Sequence, residues 1–236
     1  MDFTVLGWGY AGWGDEFFRG AVMTLLVAVC AFALSLVFGA IFAACKLSSS
    51  AVLRTIGDVY TTVLRGIPEL LVIYLIFFGG GQLLRTIANG LFGYDGYIDL
   101  PVFAIGCLCI GISAGAYSTE IIRGAVLAIP KGQLEAARAI GMGRRQRFYR
   151  ILVPQAARYA LPGLGNVWQF SLKDTSLISV VGLVEIMRTA AIGAGSTKQP
   201  FTFYITAFVV FLFLAWLSQR LFIRAEAWAN RGERRA

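Results

Sequence analysis

Five long apolar runs alternate with shorter polar segments along the 236 residues of this chain. Each run lies within the range of about 17–25 residues with which a helix crosses a hydrocarbon core. A membrane β-barrel would instead show alternating segments of about ten residues. The pattern therefore predicts an all-α membrane protein that forms a single transmembrane domain over residues 1–236. The predicted spans are residues 21–45, 68–84, 101–122, 161–184 and 201–221.

The composition of the chain supports this prediction. Hydrophobic residues make up 58% of it and charged residues 14%, whereas soluble domains carry about 25% charged residues. The four cysteines lie inside apolar runs, where they are expected to pack as small hydrophobic side chains. The chain has no histidine, and no metal site is expected.

Most of the 21 lysines and arginines fall on one side of the membrane if the N-terminus lies outside. Because cytoplasmic loops are enriched in these residues, the chain is predicted to be N-out and C-in. This asymmetry accounts for the net charge of +8, so we expect membrane lipid and no nucleic acid as a partner. The polar segment 131–158 then faces the cytoplasm.

The cytoplasmic segment 131–158 contains two candidate helices. Residues 133–140 are rich in alanine and predict a short helix. Gly141 is expected to end it. Residues 144–153 can form a second helix, which Pro154 is expected to end.

The first of these helices has the features of a docking surface. Ala136 and Ala137 are small enough to let a partner approach closely. Glu135 and Arg138 lie three residues apart on one helical face. The second helix carries four arginines that suit either a partner or anionic lipid headgroups, namely Arg144, Arg145, Arg147 and Arg150.

Residues 48–64 form another cytoplasmic connection. Val52, Ile56 and Val59 recur at helical spacing, and Arg54 is set off from them. This pattern predicts an amphipathic helix that lies along the membrane or packs on the helix bundle.

The spacing within segment 131–158 is similar to a known motif. Glu135-Ala-Ala is followed after three residues by Gly141, and after nine more by Ile151 and then Pro154. This resembles the EAA loop of bacterial ABC importer permeases, although Val153 stands where that family usually has leucine. In that family, a short helix in this loop docks on the ATP-hydrolysing subunit.

Three further segments resemble the polar amino acid branch of the same superfamily. They are the Arg-Gly-x-Pro sequence ending at Pro68, the segment 115–124 with Glu120 and Arg123, and Lys173-Asp-Thr-Ser-Leu177. Together they make the chain similar to the Q-type subunits of histidine and opine (octopine, nopaline) permeases.

This resemblance implies a type I ABC importer permease in a bacterial inner membrane. It also implies a cytoplasmic ABC ATPase dimer, a periplasmic solute-binding protein and a second permease chain, for which a homologous M-type subunit is favoured over a second copy. The residues that couple to the ATPase would be Glu135, Ala136, Ala137, Arg138 and Gly141.

The chain has no GxxxxGK(S/T) phosphate loop of its own. We therefore expect it not to be an enzyme, with no catalytic residue and no cofactor on this chain. ATP and Mg would be bound by the partner ATPase.

Lys173 and Asp174 lie within the fourth predicted span. A charge near a helix centre in the bilayer costs roughly 2.5–3.5 kcal/mol, so such residues are functional candidates. Adjacent helical residues point about 100° apart, so these two are not expected to pair simply with each other. Together with Thr175 and Ser176 they are candidates for the substrate path, and Asp174 is favoured. Structural ion pairing or interhelical hydrogen bonding is the alternative.

Glu69 lies at the inner end of the second predicted span, where polar amino acid permeases usually look apolar. A carboxylate there suits a cationic substrate such as arginine, lysine, ornithine or histidine. The alternative is a pair with Arg65, one helical turn earlier. Glu120 is expected to pair with Arg123 and to serve as a gate or a support.

These observations favour the permease subunit of an ATP-driven importer for basic L-amino acids or related opines. The alternative is an ATP-independent channel or secondary amino acid transporter, which would leave the cytoplasmic helices unexplained. A membrane-embedded hydrolase is disfavoured because the chain lacks histidine and has a single clearly intramembrane aspartate, Asp174.

Overall fold

A computed structural model describes residues 3–9, 12–92 and 101–231. In these ranges every regular element is helical, as the long apolar runs predict. Most apolar side chains of a membrane helix can remain on its surface, because lipid takes the place of water there. The helices are therefore long and only partly buried.

A short 3-10 helix at Phe3–Leu6 precedes eight helices, labelled here α1 to α8. The first four are α1, Gly14–Lys46; α2, Ala51–Gly66; α3, which joins Glu69–Tyr74 through a π-helical turn at Leu75–Gly79 to Gly80–Phe92; and α4, Val102–Leu127. The last four are α5, Lys131–Ala139; α6, which joins Arg144–Arg147 through a π-helical turn at Phe148–Leu152 to Val153–Asp174; α7, Ile186–Thr197; and α8, Pro200–Ala229. A 3-10 segment, Thr175–Val181, extends α6.

By length and composition, four helices in the described part of the chain can cross a membrane: α1, Glu69–Ile87 of α3, α4 and α8. A fifth crossing is obtained if Arg144–Val181 and Ile186–Thr197 count as one span, bent by 48° between them. The all-α membrane fold predicted from the sequence is confirmed.

Helices α1 and α4 form the most closely packed pair, and small residues make this possible. A Cβ atom on Gly39 would lie 2.6 Å from the Ser118 Cβ, and one on Gly111 would lie 2.7 Å from the Leu34 Cβ. Membrane helices commonly associate through such small residues, since their backbones can then come close. This pair forms the centre on which the other helices pack.

A second core joins α1, α6, α7 and α8, and it combines aromatic rings with the small apolar side chains of α7. Phe203 is fully buried, stacks on Phe17 at 6.0 Å and meets the edge of Trp13 at 5.5 Å. Phe32 meets Trp168 edge-on at 5.5 Å. This core packs α7 against the other helices. The hydrophobic pattern of the sequence did not predict α7.

The prediction that Pro154 ends the second cytoplasmic helix is wrong. Helix α6 continues through Pro154 to Asp174. Proline removes one backbone hydrogen bond and crowds the carbonyl four residues earlier. Here the wider π-helical turn at Phe148–Leu152 directly precedes it, and this turn accommodates the ring without breaking the helix. Residues 144–153 and the following predicted span therefore form one continuous helix.

Helix α2 packs on the bundle along one face only. Gly57 and Thr61 are buried, whereas Val52, Ile56 and Val59 are exposed. The amphipathic helix predicted for residues 48–64 is thus present, with its apolar stripe directed away from the described part of the chain.

Candidate functional site

Two carboxylates that are distant in sequence lie side by side at the junction of α3 and α6. Glu69 opens α3, because Pro68 stands just before its first turn. Asp174 is the last residue of α6. The 3-10 segment that follows Asp174 packs against the start of α3, and this packing brings the Asp174 carboxyl close to the Glu69 carboxyl. Two of the residues selected from the sequence are therefore brought together.

The alternative pairing of Glu69 with Arg65 is not found among the described residues. No ion pair joins them within 4.0 Å. The Arg65 guanidinium instead lies over the Tyr117 ring, 5.4 Å from its centre.

The residues around Asp174 have different surroundings. The Lys173 side chain is exposed, and its ammonium lies 5.1 Å from the centre of the Phe170 ring. Thr175 is fully buried and donates a hydrogen bond to the Leu172 carbonyl at 2.8 Å. Ser176 is half-buried and donates to the Lys173 carbonyl at 2.7 Å. Lys173 thus offers its charge to an accessible surface, while the Thr175 hydroxyl is occupied by the backbone of the preceding turn.

An ion-pair network joins α1, α2 and α4. The Lys46 ammonium contacts the Glu120 carboxylate, and it lies 2.9 Å from both Asp58 Oδ1 and Thr61 Oγ1. Arg123 Nε donates to Glu120 Oε2 at 3.0 Å. The predicted contact of Glu120 with Arg123 is present. Lys46 and Asp58 were missed, although a lysine that ends the first apolar run and an acid on the polar side of α2 were visible signals.

Beside this network lies a polar cavity of about 370 Å³. Its lining includes Lys46 and Glu120 from the network, together with Arg65 and Tyr117. Small-ligand sites range from about 300 to 1,000 Å³. This cavity therefore has room for a molecule of amino-acid size.

The EAA motif forms a short exposed helix with a defined end. Ala137 is 4% exposed and anchors α5. Glu135, Ala136 and Arg138 are exposed. Gly141 has φ +82°, which a residue with a side chain rarely adopts.

The turn at Gly141 satisfies the last carbonyls of α5. The backbone N–H of Met142 donates to the Ala137 carbonyl and that of Gly141 donates to the Arg138 carbonyl, both at 3.0 Å. This is the Schellman arrangement, in which glycine supplies the left-handed residue. Glycine at this position in the motif is thereby explained by backbone geometry.

Two large exposed side chains lie next to α5: Ile140 directly follows it, and Tyr149 is in the π-helical turn that contacts it. Ile140 is 78% exposed and Tyr149 is 61% exposed. Exposed apolar groups clustered with charged ones are typical of a protein docking surface. The chain therefore presents a ready contact surface at the predicted coupling segment.

Glu185 is a buried acid that the sequence interpretation missed. It is fully buried, and its Oε1 accepts a hydrogen bond from the Arg188 backbone N–H at 2.8 Å. It thus caps α7, while the Ile186 N–H donates to Thr24 Oγ1 of α1 at 3.4 Å. The sequence did contain a signal for this cap. Glu185 follows Gly182 closely, and an acidic residue just before a helix can accept a hydrogen bond from a backbone N–H of its first turn.

The described part of the chain thus combines helices long enough to cross a membrane with an exposed short helix at the predicted coupling segment. Residues 35–226 match the model of the family described as binding-protein-dependent transport system inner membrane component. The chain belongs to this family, and it is a multi-pass membrane protein.

Relatives along the full chain agree with this assignment. A nopaline transport system permease protein of Agrobacterium fabrum is 70% identical over 99% of both chains. An octopine transport system permease protein of Rhizobium radiobacter is 51% identical over 100% of this chain and 99% of its own. A histidine/lysine/arginine/ornithine transport system permease protein of Escherichia coli is 38% identical over 95% and 98%.

Solved structures show the same architecture. A chain of an amino acid ABC transporter superposes with a TM-score of 0.76 at 29% identity, over 91% of this chain and 94% of its own. A chain of the MetNI methionine ABC transporter gives a TM-score of 0.71 at 18% identity over 93% and 98%, a likeness of fold alone. The type I importer permease fold is confirmed. The chain is the permease subunit of an ABC importer, and ATP hydrolysis belongs to a partner chain.

Proposed function

We propose that this chain forms part of the path for basic amino acids or opines in a bacterial ABC importer. The observation that carries the proposal is the pair of neighbouring carboxylates, Glu69 and Asp174. Two adjacent acids are unfavourable without a cation, and an ammonium or guanidinium group complements them. Relatives named for nopaline, octopine and histidine/lysine/arginine/ornithine transport support a substrate of this kind.

The path lies on a surface of the chain, and a second permease chain is proposed to complete it. Lys173 is exposed on this chain, which is unfavourable against lipid. A seam between two permease chains would provide a polar environment. A homologous M-type subunit, a periplasmic solute-binding protein and a cytoplasmic ATPase dimer are the proposed partners.

Helix α5 is the proposed contact with the ATPase. Glu135 and Arg138 offer both signs of charge, and the exposed Ala136 lets the partner backbone approach. Ile140 adds an apolar contact. Since α6 is one continuous helix from Arg144 to Asp174, movement at α5 would be passed directly to the Asp174 end. ATP and Mg are bound by the partner, and no cofactor is proposed on this chain.

The path is tested by uptake into proteoliposomes that contain the complete importer and its binding protein. Asp174→Asn and Glu69→Gln should each lower the rate or apparent affinity for basic substrates about 10- to 100-fold, because a charged hydrogen bond contributes about 1.5–3 kcal/mol. Glu16→Gln is the matched control, since the Glu16 side chain is 42% exposed and pairs with Arg19 one turn away. Unchanged uptake of arginine, histidine, nopaline and octopine by both variants would rule out the role of the carboxylates.

The partners are tested by purifying the chain with its neighbouring gene products in mild detergent. We expect a stoichiometric ATPase that is lost with Glu135→Arg and retained with Glu226→Arg, a change near the C-terminal end of α8. A chain that purifies alone, with uptake that survives ATP depletion, would favour the channel or secondary transporter instead.

A further inference from the structure

One side of α8 carries a row of exposed side chains that are spaced four residues apart. Leu212, Trp216, Arg220 and Arg224 follow one another along this row, and all four are exposed. Residues at this spacing are neighbours on the surface of a helix. The row is apolar as far as Trp216 and basic from Arg220 onward. It therefore resembles the surface that a membrane helix presents where it leaves the lipid.

The row points away from the helices on which α8 packs. Leu214 and Ser218 are buried, and the Gln169 amide nitrogen of α6 lies 3.2 Å from Ser218 Oγ. Trp216 and Arg220 each follow one of these buried residues by two positions, which turns them by about 200° around the helix. The described helices accordingly leave the row uncovered.

The basic half of the row lies where α8 leaves the hydrocarbon core. A helix crosses this core in about 20 residues, so a span that begins at Phe201 reaches the far boundary near Arg220. In the N-out orientation that the sequence predicts, α8 runs toward the cytoplasm. The cytoplasmic leaflet carries anionic lipids, which attract arginine near the membrane surface. Arg220 and Arg224 are thus expected at the depth of the lipid phosphates.

Neither guanidinium is neutralised within the part of the chain that the structure describes. No carboxylate oxygen there lies within 4.0 Å of Arg220 or Arg224. Glu226 follows Arg224 by two positions and so lies on another side of the helix. The Arg220 guanidinium lies over the Trp216 ring, 5.2 Å from its centre. This contact uses the flat side of the guanidinium and leaves its N–H donors, which lie in the plane, available to an anion.

We propose that Arg220 and Arg224 bind the phosphate of an anionic phospholipid in the inner leaflet, and that an acyl chain of this lipid lies along Trp216 and Phe213. The Phe213 and Trp216 rings stack with their centres 6.3 Å apart and form an exposed apolar surface for the chain. Two guanidinium groups one turn apart can both donate to one phosphate, which suits the planar fork of arginine. A zwitterionic lipid fits less well, because its own cationic group lies close to the phosphate and is repelled by the arginines.

A lipid is favoured over a second permease chain as the occupant of the row. The proposed seam between the two chains lies at Glu69 and Asp174, on α3 and α6, whereas α8 presents the row on its side opposite α6. A protein surface would also have to supply a carboxylate next to an apolar strip. This lipid site is separate from the substrate path, and the inference goes beyond the proposed function.

A bound lipid is expected to stabilise the contact between α8 and α6. The Gln169 amide nitrogen lies 3.2 Å from the Ala215 carbonyl and from Ser218 Oγ. These contacts join the two helices within two turns of Arg220. A lipid that fixes the depth of α8 in the membrane therefore also fixes the depth of α6.

The test measures lipid retention by the complete importer, purified in mild detergent, using native mass spectrometry. The unaltered importer should retain phosphatidylglycerol in preference to phosphatidylcholine. Arg220→Gln combined with Arg224→Gln should weaken retention of phosphatidylglycerol about tenfold or more, because each arginine near an anionic leaflet contributes a factor of about five. Arg220→Lys combined with Arg224→Lys keeps both charges and should stay within about threefold of the unaltered importer.

Two further variants make the test specific. Arg231→Gln is the matched control, since Arg231 is exposed beyond the end of α8 and outside the row; it should retain phosphatidylglycerol normally. Trp216→Leu keeps every charge and should weaken retention about two- to fivefold, because the ring under Arg220 is lost. This variant decides the question if the double glutamine variant does not assemble.

Four results would overturn the inference. Equal retention of the two lipids by the unaltered importer would show that the site does not select an anionic lipid. Unchanged phosphatidylglycerol retention in the assembled double glutamine variant or in Trp216→Leu would show that another molecule, such as the second permease chain, covers the row. An equal loss with Arg231→Gln would indicate a diffuse effect of charge. Displacement of the lipid by inorganic phosphate would assign the arginines to a free anion. Lipid retention is measured without transport, so failure of the Glu69 and Asp174 path would leave this result unaffected.

Discussion

At the scale of single residues, glycines decide how closely the helices approach. Gly193 is buried in α7 directly against the Phe203 ring of α8, and an added Cβ atom would overlap that ring. Gly195, two residues later in the same helix, has nothing within 4 Å of its Cβ position. One helix therefore contains a glycine that packing requires and one that it does not.

Gly193→Ala is expected to lower the free energy of unfolding by about 1–3 kcal/mol, because overpacking forces the ring or the backbone to shift. Gly195→Ala should be neutral or stabilising by up to about 1 kcal/mol, since alanine favours a helix over glycine. Thermal unfolding of the purified chain in detergent measures both. Equal stability of the two variants would show that Phe203 adapts to the additional methyl group.

At the scale of elements, helix ends are set by backbone geometry as well as by hydrophobic pattern. Gly141 ends α5 in the left-handed region, and Gly143, with φ −63°, occupies ordinary extended backbone. The two glycines look alike in the sequence. In the structure only the first needs the conformational freedom of glycine.

Gly141→Ala should weaken coupling to the ATPase, because a left-handed residue with a side chain costs about 1–2 kcal/mol. This cost corresponds to a factor of about 5–30 in an equilibrium. The measurement is substrate-stimulated ATP hydrolysis by the assembled importer. Gly143→Ala is the control and should retain normal stimulation. If both variants behave alike, the turn after α5 does not position the contact.

The elements also explain where sequence-based prediction succeeded. A run of apolar residues long enough to span a membrane requires a helix, because each backbone polar group must be satisfied within the segment. The EAA helix was likewise recognisable, as alanine favours a helix and glycine ends one. The prediction at Pro154 was wrong because the local sequence does not reveal the π-helical turn that precedes the proline. Helix α7 was not predicted, because its position depends on the cap by Glu185 and on packing against the buried Phe203.

At the scale of the whole molecule, one charged network holds three helices at the inner face. Lys46 from α1 contacts Asp58 from α2 and Glu120 from α4. The side chains of Lys46 and Glu120 are only 12% and 23% exposed. Their interaction is therefore shielded from water more than an ordinary surface pair.

Glu120→Gln is expected to destabilise the protein by about 1.5–3 kcal/mol, the usual contribution of a hydrogen bond to a charged group. Glu16→Gln removes an exposed pair with Arg19, whose side chain is 72% exposed, and should cost about 0–1 kcal/mol. Both changes in the free energy of unfolding are measured on the purified protein in detergent. A double-mutant cycle with Lys46→Met isolates the pair, and a coupling energy near zero would show that Glu120 is held by Arg123 alone.

The sequence by itself determined that this is an all-helical membrane protein with a basic cytoplasmic segment, because span length and apolar content are properties of consecutive residues. It also identified the importer family, because the EAA spacing lies within one short segment. Only the tertiary structure decided that Asp174 meets Glu69 and that Lys173 rests on Phe170. Those contacts join or orient residues through helix packing, and packing depends on the shapes of many side chains at once rather than on any local pattern.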